Sequence, residues 1–225
     1  MKLLVATRSA GKQREVRRLL GGTGVEVVFP DEAGVGYTQA EDRLELGDSF
    51  AANARAKAEY FAKQTGLPTV ADDSGLEVFA LGGDPGVRSR RWAGAEGTEQ
   101  EVDAANNALL LRRLSGAPES KRRARYRCVL VLYRKPKSFP ETFEGACSGR
   151  ILDAPAGTSG FGYDPLFWSD DLEKSFGQAT DDEKDAVSHR ARAFRELLTA
   201  IGYPLSDTPS AEPSPEPTDS PTDSP

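Results

Sequence analysis

An apolar run, residues 67–70, leads directly into Ala71-Asp72-Asp73-Ser74-Gly75-Leu76, and no other stretch constrains the chain as much. The run reads as a short buried strand. Side chains alternate in direction along extended chain, so Asp72 and Asp73 point apart unless the backbone turns between them. Gly75 permits a turn without steric penalty. The expectation is therefore a strand over 67–71, a turn, and a second extended run over 76–81. Two carboxylates followed by a small hydroxyl residue suit a metal-and-water site, in which a divalent cation keeps a carboxylate ionised close to a substrate phosphate. The competing reading is an Asx-type turn that caps the next element.

The flanking pattern mixes strands and helices. Residues 2–7 read as a strand and 12–20 as a helix ended by Gly21-Gly22. Residues 25–29 form a second strand. Over 48–65 the apolar positions Phe50, Ala54, Ala58 and Phe61 recur at helical spacing, with Asp48 or Ser49 as cap. Residues 98–114 read as another helix. Strands at 125–134 and 142–152 look antiparallel across the loop at 136–140. A capping box at Thr180-Asp181-Asp182-Glu183 opens a last helix, with one stripe through Val187, Ala191, Phe194, Leu198 and Ile201. Such an order predicts an α/β fold with a mixed sheet bent around a cleft.

The stretch 206–225 is Pro, Ser, Thr, Asp and Glu with Ala211 its only apolar residue, and reads as a disordered tail after a single domain over 1–205. It carries five acids and no base; setting them aside leaves 30 acids against 29 bases, so the net charge of -6 is mostly a tail property. No apolar run is long enough to cross a bilayer, and the opening residues are too short an apolar run for a signal sequence. Cys128 and Cys147 fall in strand-like runs and read as buried thiols in a reducing cytoplasm. A single histidine, His189, argues against histidine-rich zinc sites and against a Ser-His-Asp triad, for which Ser188 is poorly placed.

Four further groups carry chemistry. Thr7-Arg8-Ser9-Ala10-Gly11-Lys12 joins a strand to a helix, where backbone N–H groups favour anions and Lys12 adds a full charge. Its glycine spacing is not that of a Walker loop. Glu45 precedes the second helix and gains interest only beside Asp72 and Asp73; three carboxylates could bind one or two hard cations. In Ser159-Gly160-Phe161-Gly162-Tyr163-Asp164-Pro165, glycines flank an aromatic ring on which a flat ligand could stack, and the proline biases Asp164 to extended geometry. In the last helix Lys184 and Ser188 share a face, while His189 and Arg190 point elsewhere if that helix is regular. The basic clusters Arg122–Arg127 and Arg88–Arg91 lack the overall charge and interleaved aromatics of a nucleic-acid surface and read as solvated surface or pocket rim.

Taken together, ADDSGL at 71–76, LGGDPGVRSRRWAG at 81–94, SGFGYDPLF at 159–167, DEKDAVSHRARA at 182–193 and ELGDSFAANARAKA at 45–58 resemble the Ham1/RdgB family of non-canonical purine NTP pyrophosphatases. The resemblance implies an elongated mixed α/β fold with two lobes flanking a nucleotide cleft, a homodimer, and Mg²⁺-dependent cleavage of ITP, dITP and XTP to the monophosphate and pyrophosphate. It implies a triphosphate loop over Thr7, Arg8, Ser9, Ala10, Gly11 and Lys12, and a metal site at Glu45 and Asp73. Asp73 matches the proton acceptor, with Asp72 beside it. Ser74, Phe161, Gly162, Tyr163, Asp164, Lys184, His189 and Arg190 match nucleotide contacts. The family loop usually reads T-x-N-x-x-K, and here Ser9 replaces the asparagine. The rivals are a Maf-like nucleotide pyrophosphatase of different base preference, a non-catalytic nucleotide-binding module, and an RNA-binding protein using the Arg122–Arg127 cluster.

Overall fold

A seven-stranded mixed sheet in the order β2-β1-β3-β4-β5-β6-β7 organises the chain. The structure, a computed structural model, describes residues 1–203; the tail expected over 206–225 lies outside the described residues. β1 (Lys2–Val5), α1 (Ala10–Leu20) and β2 (Glu26–Val28) open the fold, and β1 lies parallel to both β2 and β3 (Thr69–Val78). α2 (Phe50–Thr65) precedes β3 and α3 (Glu99–Arg113) follows it. β4 (Arg123–Tyr133) and β5 (Glu141–Ile151) form the long antiparallel hairpin, continued by the short β6 (Phe167–Ser169) and β7 (Lys174–Ser175). α4 (Asp181–Val187) and α5 (His189–Ala200) close the described chain.

Three apolar clusters hold these layers. Val70, Leu130 and Leu132 pack with Val16 and Leu19 of α1 and Phe194 and Leu197 of α5 on one face. Ala71, Val131 and Tyr133, one residue out of phase, pack with Ala54, Ala58 and Phe61 of α2 on the other. Leu76, Tyr126, Ile151 and Phe167 join Leu110 and Leu114 of α3 in a third. The period-two alternation of a doubly covered sheet separates the first cluster from the second, while the third has the first one's parity and lies further along the same strands. Both cysteines are buried free thiols, as their strand positions suggested.

Two expectations fail in ways that matter for the site. No turn interrupts the paired aspartates: β3 is one strand, paired with β4 at every position from Thr69↔Tyr133 to Val78↔Ala124. Asp72 and Asp73 therefore face opposite sides of the sheet. Gly75 is needed for close approach instead, because a Cβ there would lie 2.4 Å from both the Gly86 carbonyl oxygen and the Ser89 hydroxyl. The last helix is also not continuous. Ser188 is extended (φ -64°, ψ 155°); its N–H donates to the Lys184 carbonyl at 2.8 Å, and its hydroxyl accepts from the Ala191 N–H at 3.2 Å. One serine ends α4 and caps α5. The break turns His189 and Arg190 inward, to 4% and 1% exposure.

Candidate active site

A cavity of about 570 Å³ opens beside β3, within the range of small-molecule sites. The β1–α1 loop, the irregular segment before α2, the Phe161 loop and the α4–α5 junction wall it.

On the α2 side, Asp73 meets side chains one helical turn apart. Asn53 Nδ2 donates to Asp73 Oδ2 at 3.0 Å, and Lys57 Nζ donates to Asp73 Oδ1 at 3.1 Å. The same ammonium donates to Glu45 Oε1 at 2.6 Å and to the Asp72 carbonyl at 2.7 Å. Burial raises Asp73 above the usual carboxylate range despite Lys57 and Lys12, and Glu45 adds to that rise. Glu45 is lowered, chiefly by Lys57. Burial disfavours the Lys57 ammonium, but Asp73 and Glu45 more than restore it.

On the α1 and α5 side, Asp72 is sealed among cations. Its Oδ1 accepts from Lys12 Nζ at 2.7 Å and its Oδ2 from Arg190 Nε at 2.6 Å. Arg190 Nη1 donates to Glu15, and Nη2 to the Ser74 hydroxyl at 2.8 Å. Lys184 Nζ joins Glu15 at 2.7 Å and Asp164 at 2.5 Å. Three acids, Glu15, Asp72 and Asp164, thus alternate with three cations, Lys12, Lys184 and Arg190, in one network. Burial pushes Asp72 up, yet Arg190 and Lys12 hold it well below the usual range. Burial opposes Glu15 too, and Lys184 and Arg190 bring it down to about 2. Burial, then Arg190, keeps the His189 imidazole neutral; its Nδ1 is buried without a hydrogen-bond partner, and its ring stacks on Tyr126 at 4.7 Å.

The Phe161 loop is fixed from several directions. Gly160 and Gly162 both have positive φ, 76° and 64°, which an L side chain resists. Asp164 accepts the Phe161 N–H at 2.8 Å; Asp103 of α3 accepts the Gly162 N–H at 2.7 Å, and Asn107 donates to the Gly162 carbonyl at 2.9 Å. The Phe161 ring lies on Gly11, where a Cβ would come within 2.8 Å of it, so the glycine lets ring and phosphate loop meet. Lys184 Nζ sits 4.9 Å from the ring centre.

Most of the expected residues meet at this cavity: Thr7, Arg8, Ser9, Lys12, Glu45, Asp73, Ser74, Phe161, Gly162, Tyr163, Asp164, Lys184, His189 and Arg190 all line it. Ala10 and Gly11 form the amino end of α1 behind the wall. Asp72 is not part of the lining, and the expected three-carboxylate cation site reduces to two, Glu45 and Asp73, because strand alternation turns Asp72 away. Arg8 reaches the wall with its guanidinium held by Glu41 and Asp31. Sequence reasoning missed Asn53, Lys57 and Glu15. A signal existed: Asn53 and Lys57 repeat at four-residue spacing beside Ala54 and Ala58, and Glu15 lies three residues from Lys12 and four from Leu19, on the buried side of α1.

Residues 3–200 match the Ham1 family. A dITP/XTP pyrophosphatase of Frankia alni is 44% identical over 202 residues, covering 89% of this chain and 97% of that protein. One of Lactobacillus acidophilus is 45% identical over 206 residues, covering 89% and 96%. Among solved structures, a HAM1 protein from Coxiella burnetii matches with a TM-score of 0.77 at 34% identity, over 90% of this chain and 98% of that one. A nucleoside-triphosphatase / dITP/XTP pyrophosphatase from Mycobacterium abscessus matches with a TM-score of 0.68 at 44% identity, over 88% and 99%.

Proposed function

Since the chain belongs to the Ham1 family, we propose that its cavity binds a purine nucleoside triphosphate and hydrolyses it to the monophosphate and pyrophosphate, with ITP, dITP and XTP as preferred substrates. One observation carries this reading: Asp73, a carboxylate raised in pKa, faces the same cavity as Lys12 and Ser9, the cap of α1.

The triphosphate would meet Lys12 and the free N–H groups at the start of α1, which favour anions. Asp73, oriented by Asn53 and Lys57, would align a water on the α-phosphorus and take its proton. A phosphorus–oxygen bond forms to the water, the bond to the bridging oxygen breaks, and pyrophosphate leaves. Asp72 is a poor proton acceptor for this water, since it does not line the cavity and Arg190 and Lys12 hold it well below the usual carboxylate range; it holds those two cations in place. Phe161 would stack on the base. His189 and Arg190 would supply donors to a 6-oxo group, where adenine carries an amino group instead.

Glu45 and Asp73 fit Mg²⁺. Both carboxylates converge on one ammonium, Lys57 Nζ, so a single cation can be shared between them. Mg²⁺ is an ion that takes one or two carboxylates and completes its shell with water and phosphate oxygens. When bound, Mg²⁺ would neutralise charge on the phosphates and polarise the reacting one.

No helix among the described residues is long and apolar enough to cross a membrane; a cytoplasmic location, a homodimer and a single nucleotide-pyrophosphatase domain complete the proposal. Purified protein with ITP, XTP, dITP, ATP or GTP and Mg²⁺, scored for pyrophosphate against orthophosphate, tests the reaction. Orthophosphate release, or no turnover of any 6-oxopurine triphosphate, would exclude it.

A further inference from the structure

From the phosphate loop, the Arg8 side chain reaches the segment that carries Glu45. Between β2 and α2 the chain runs from Val28 to Phe50 with only a single helical turn, Glu41–Arg43, and no strand. Into this segment Arg8 directs four hydrogen bonds. Its Nε and Nη2 donate to Glu41 Oε2 and Oε1 at 2.7 and 2.8 Å, a bidentate fork. Its Nη1 donates to Asp31 Oδ1 at 2.5 Å and its Nη2 also to the Val35 carbonyl at 2.9 Å. The guanidinium further lies 5.8 Å from the Phe61 ring centre and 6.0 Å from that of Tyr37.

This pair differs from the surface ion pairs elsewhere on the chain. The Glu41 side chain is only 10% exposed and that of Arg8 23%, so solvent screens them less, and the planar fork fixes distance and angle together. Glu41, the main partner, raises the Arg8 guanidinium further, so the charge is permanent. Glu45 follows Glu41 by one helical turn's worth of chain and projects to Lys57 and Asp73. Other ties on this stretch include the exposed Arg17–Glu32 ion pair, the Thr38–Tyr60 hydroxyl contact, the Gly47 N–H to Asn53, Arg91 to the Glu45 carbonyl, and the packing of Ala33, Val35 and Leu44 on the α2 cluster.

We propose that Arg8 is a positioning residue: it clamps the 31–45 segment to the phosphate loop and so sets the separation between Lys12 and the Glu45 carboxylate. A proposal for how the site is spaced, it rests on the triphosphate reading above, but its first test does not. Arg43 is an exposed tryptic site within the clamped segment. In the ligand-free full chain, Arg8→Ala and Glu41→Gln should each speed cleavage after Arg43 about tenfold, through local opening, with global melting little changed. Arg8→Lys should resemble Arg8→Ala, since an ammonium keeps the charge and loses the fork. The double variant Arg8→Ala/Glu41→Gln should open no faster than either single one.

In turnover, both single variants should raise the Mg²⁺ concentration for half-maximal rate and the nucleotide KM, by similar factors. Wild-type cleavage rates after Arg43 in Glu41→Gln would overturn the clamp. So would a raised KM in Arg8→Ala that Glu41→Gln does not share, which would make Arg8 a direct phosphate contact. Were Arg8→Ala not to fold, Glu41→Gln would decide alone. Were no nucleotide turned over, the proteolysis would still decide the clamp while the enzymatic reading failed separately.

Discussion

On one face of β3, Asp72 is 1% exposed and both its oxygens are taken by cations; on the other, Asp73 faces a cavity with its pKa raised rather than lowered. The two residues are neighbours in sequence, share a backbone and are both buried. What separates them is the partner each face supplies. α1, α4 and α5 bring Glu15, Lys184 and Arg190 into a buried network that balances three charges against three. α2 brings one lysine, already shared with Glu45, and an amide. A carboxylate over-compensated by cations holds them in place but has a depressed proton affinity. One that is under-compensated and faces the cavity has an elevated proton affinity, which a general base needs.

The sealed face should give the largest response. Asp72→Asn preserves shape but leaves Arg190 and Lys12 facing a neutral amide in the interior. Breaking one side of a buried ion pair costs about 3–5 kcal/mol, so chemical denaturation should show a loss of that size. A variant as stable as the parent would show that the network is not holding charge against burial. Asp73→Asn should reverse the pattern. Its turnover should fall about 10²-fold or more, since a base and a metal ligand are lost, while stability stays within about 1 kcal/mol of the parent. Parental kcat in that variant would remove Asp73 from the chemistry.

Acid separates the two faces again. Glu15 is depressed from its ordinary 4.5 to about 2, so the stability it contributes is present above pH 4.5 and is lost as pH falls towards 2. Asp72 is depressed as well and adds loss in the same direction. Asp73 is raised above its ordinary 3.8, so its ionised form disappears at a higher pH than an unperturbed aspartate's would. As acid is added, protons compete with Mg²⁺ for Asp73, so the Mg²⁺ concentration for half-maximal rate should rise before the protein begins to unfold. A rise that only accompanies loss of the folded signal would mean that the same groups control both.

How much of this was legible follows from where each contact comes from. The helices on either side of the aspartate strand and the long hairpin are written in local periodicity, and the structure has them within a few residues, whereas the strand itself runs on to Val78. The Asp72–Asp73 split was visible as alternation, but Gly75 suggested a turn. The need for glycine there comes from Gly86 and Ser89, a contact that no local pattern reveals. The break at Ser188 was hidden for a related reason. The apolar stripe continues across it, so the sequence looks like one helix, although serine suits a cap better than a helix interior. The charged network depends on Glu15 meeting Lys184 and Arg190, which lie 169 and 175 residues further along. Pairing over such separations is a product of topology.

The smallest effect is expected where the two faces meet. Lys12 donates to Asp72 on the sealed side, and the residue also lines the cavity, so the loop that launches it belongs to both. Ser9 opens that loop: it is the N-cap of α1, its hydroxyl accepting from the Lys12 N–H at a long 3.5 Å. Asparagine, the residue the family usually carries there, ranks beside serine as an N-cap, so Ser9→Asn should change stability by no more than a few tenths of a kcal/mol. Its longer side chain adds an amide donor towards the cavity that the hydroxyl lacks. Turnover should therefore be kept or raised, with any gain appearing in KM for the triphosphate, because the new donor would meet the phosphates in ground and transition state alike. Loss of activity in a folded Ser9→Asn protein would mean that this loop has diverged from the family's geometry, and that Lys12 is placed by the sealed network rather than by its own cap.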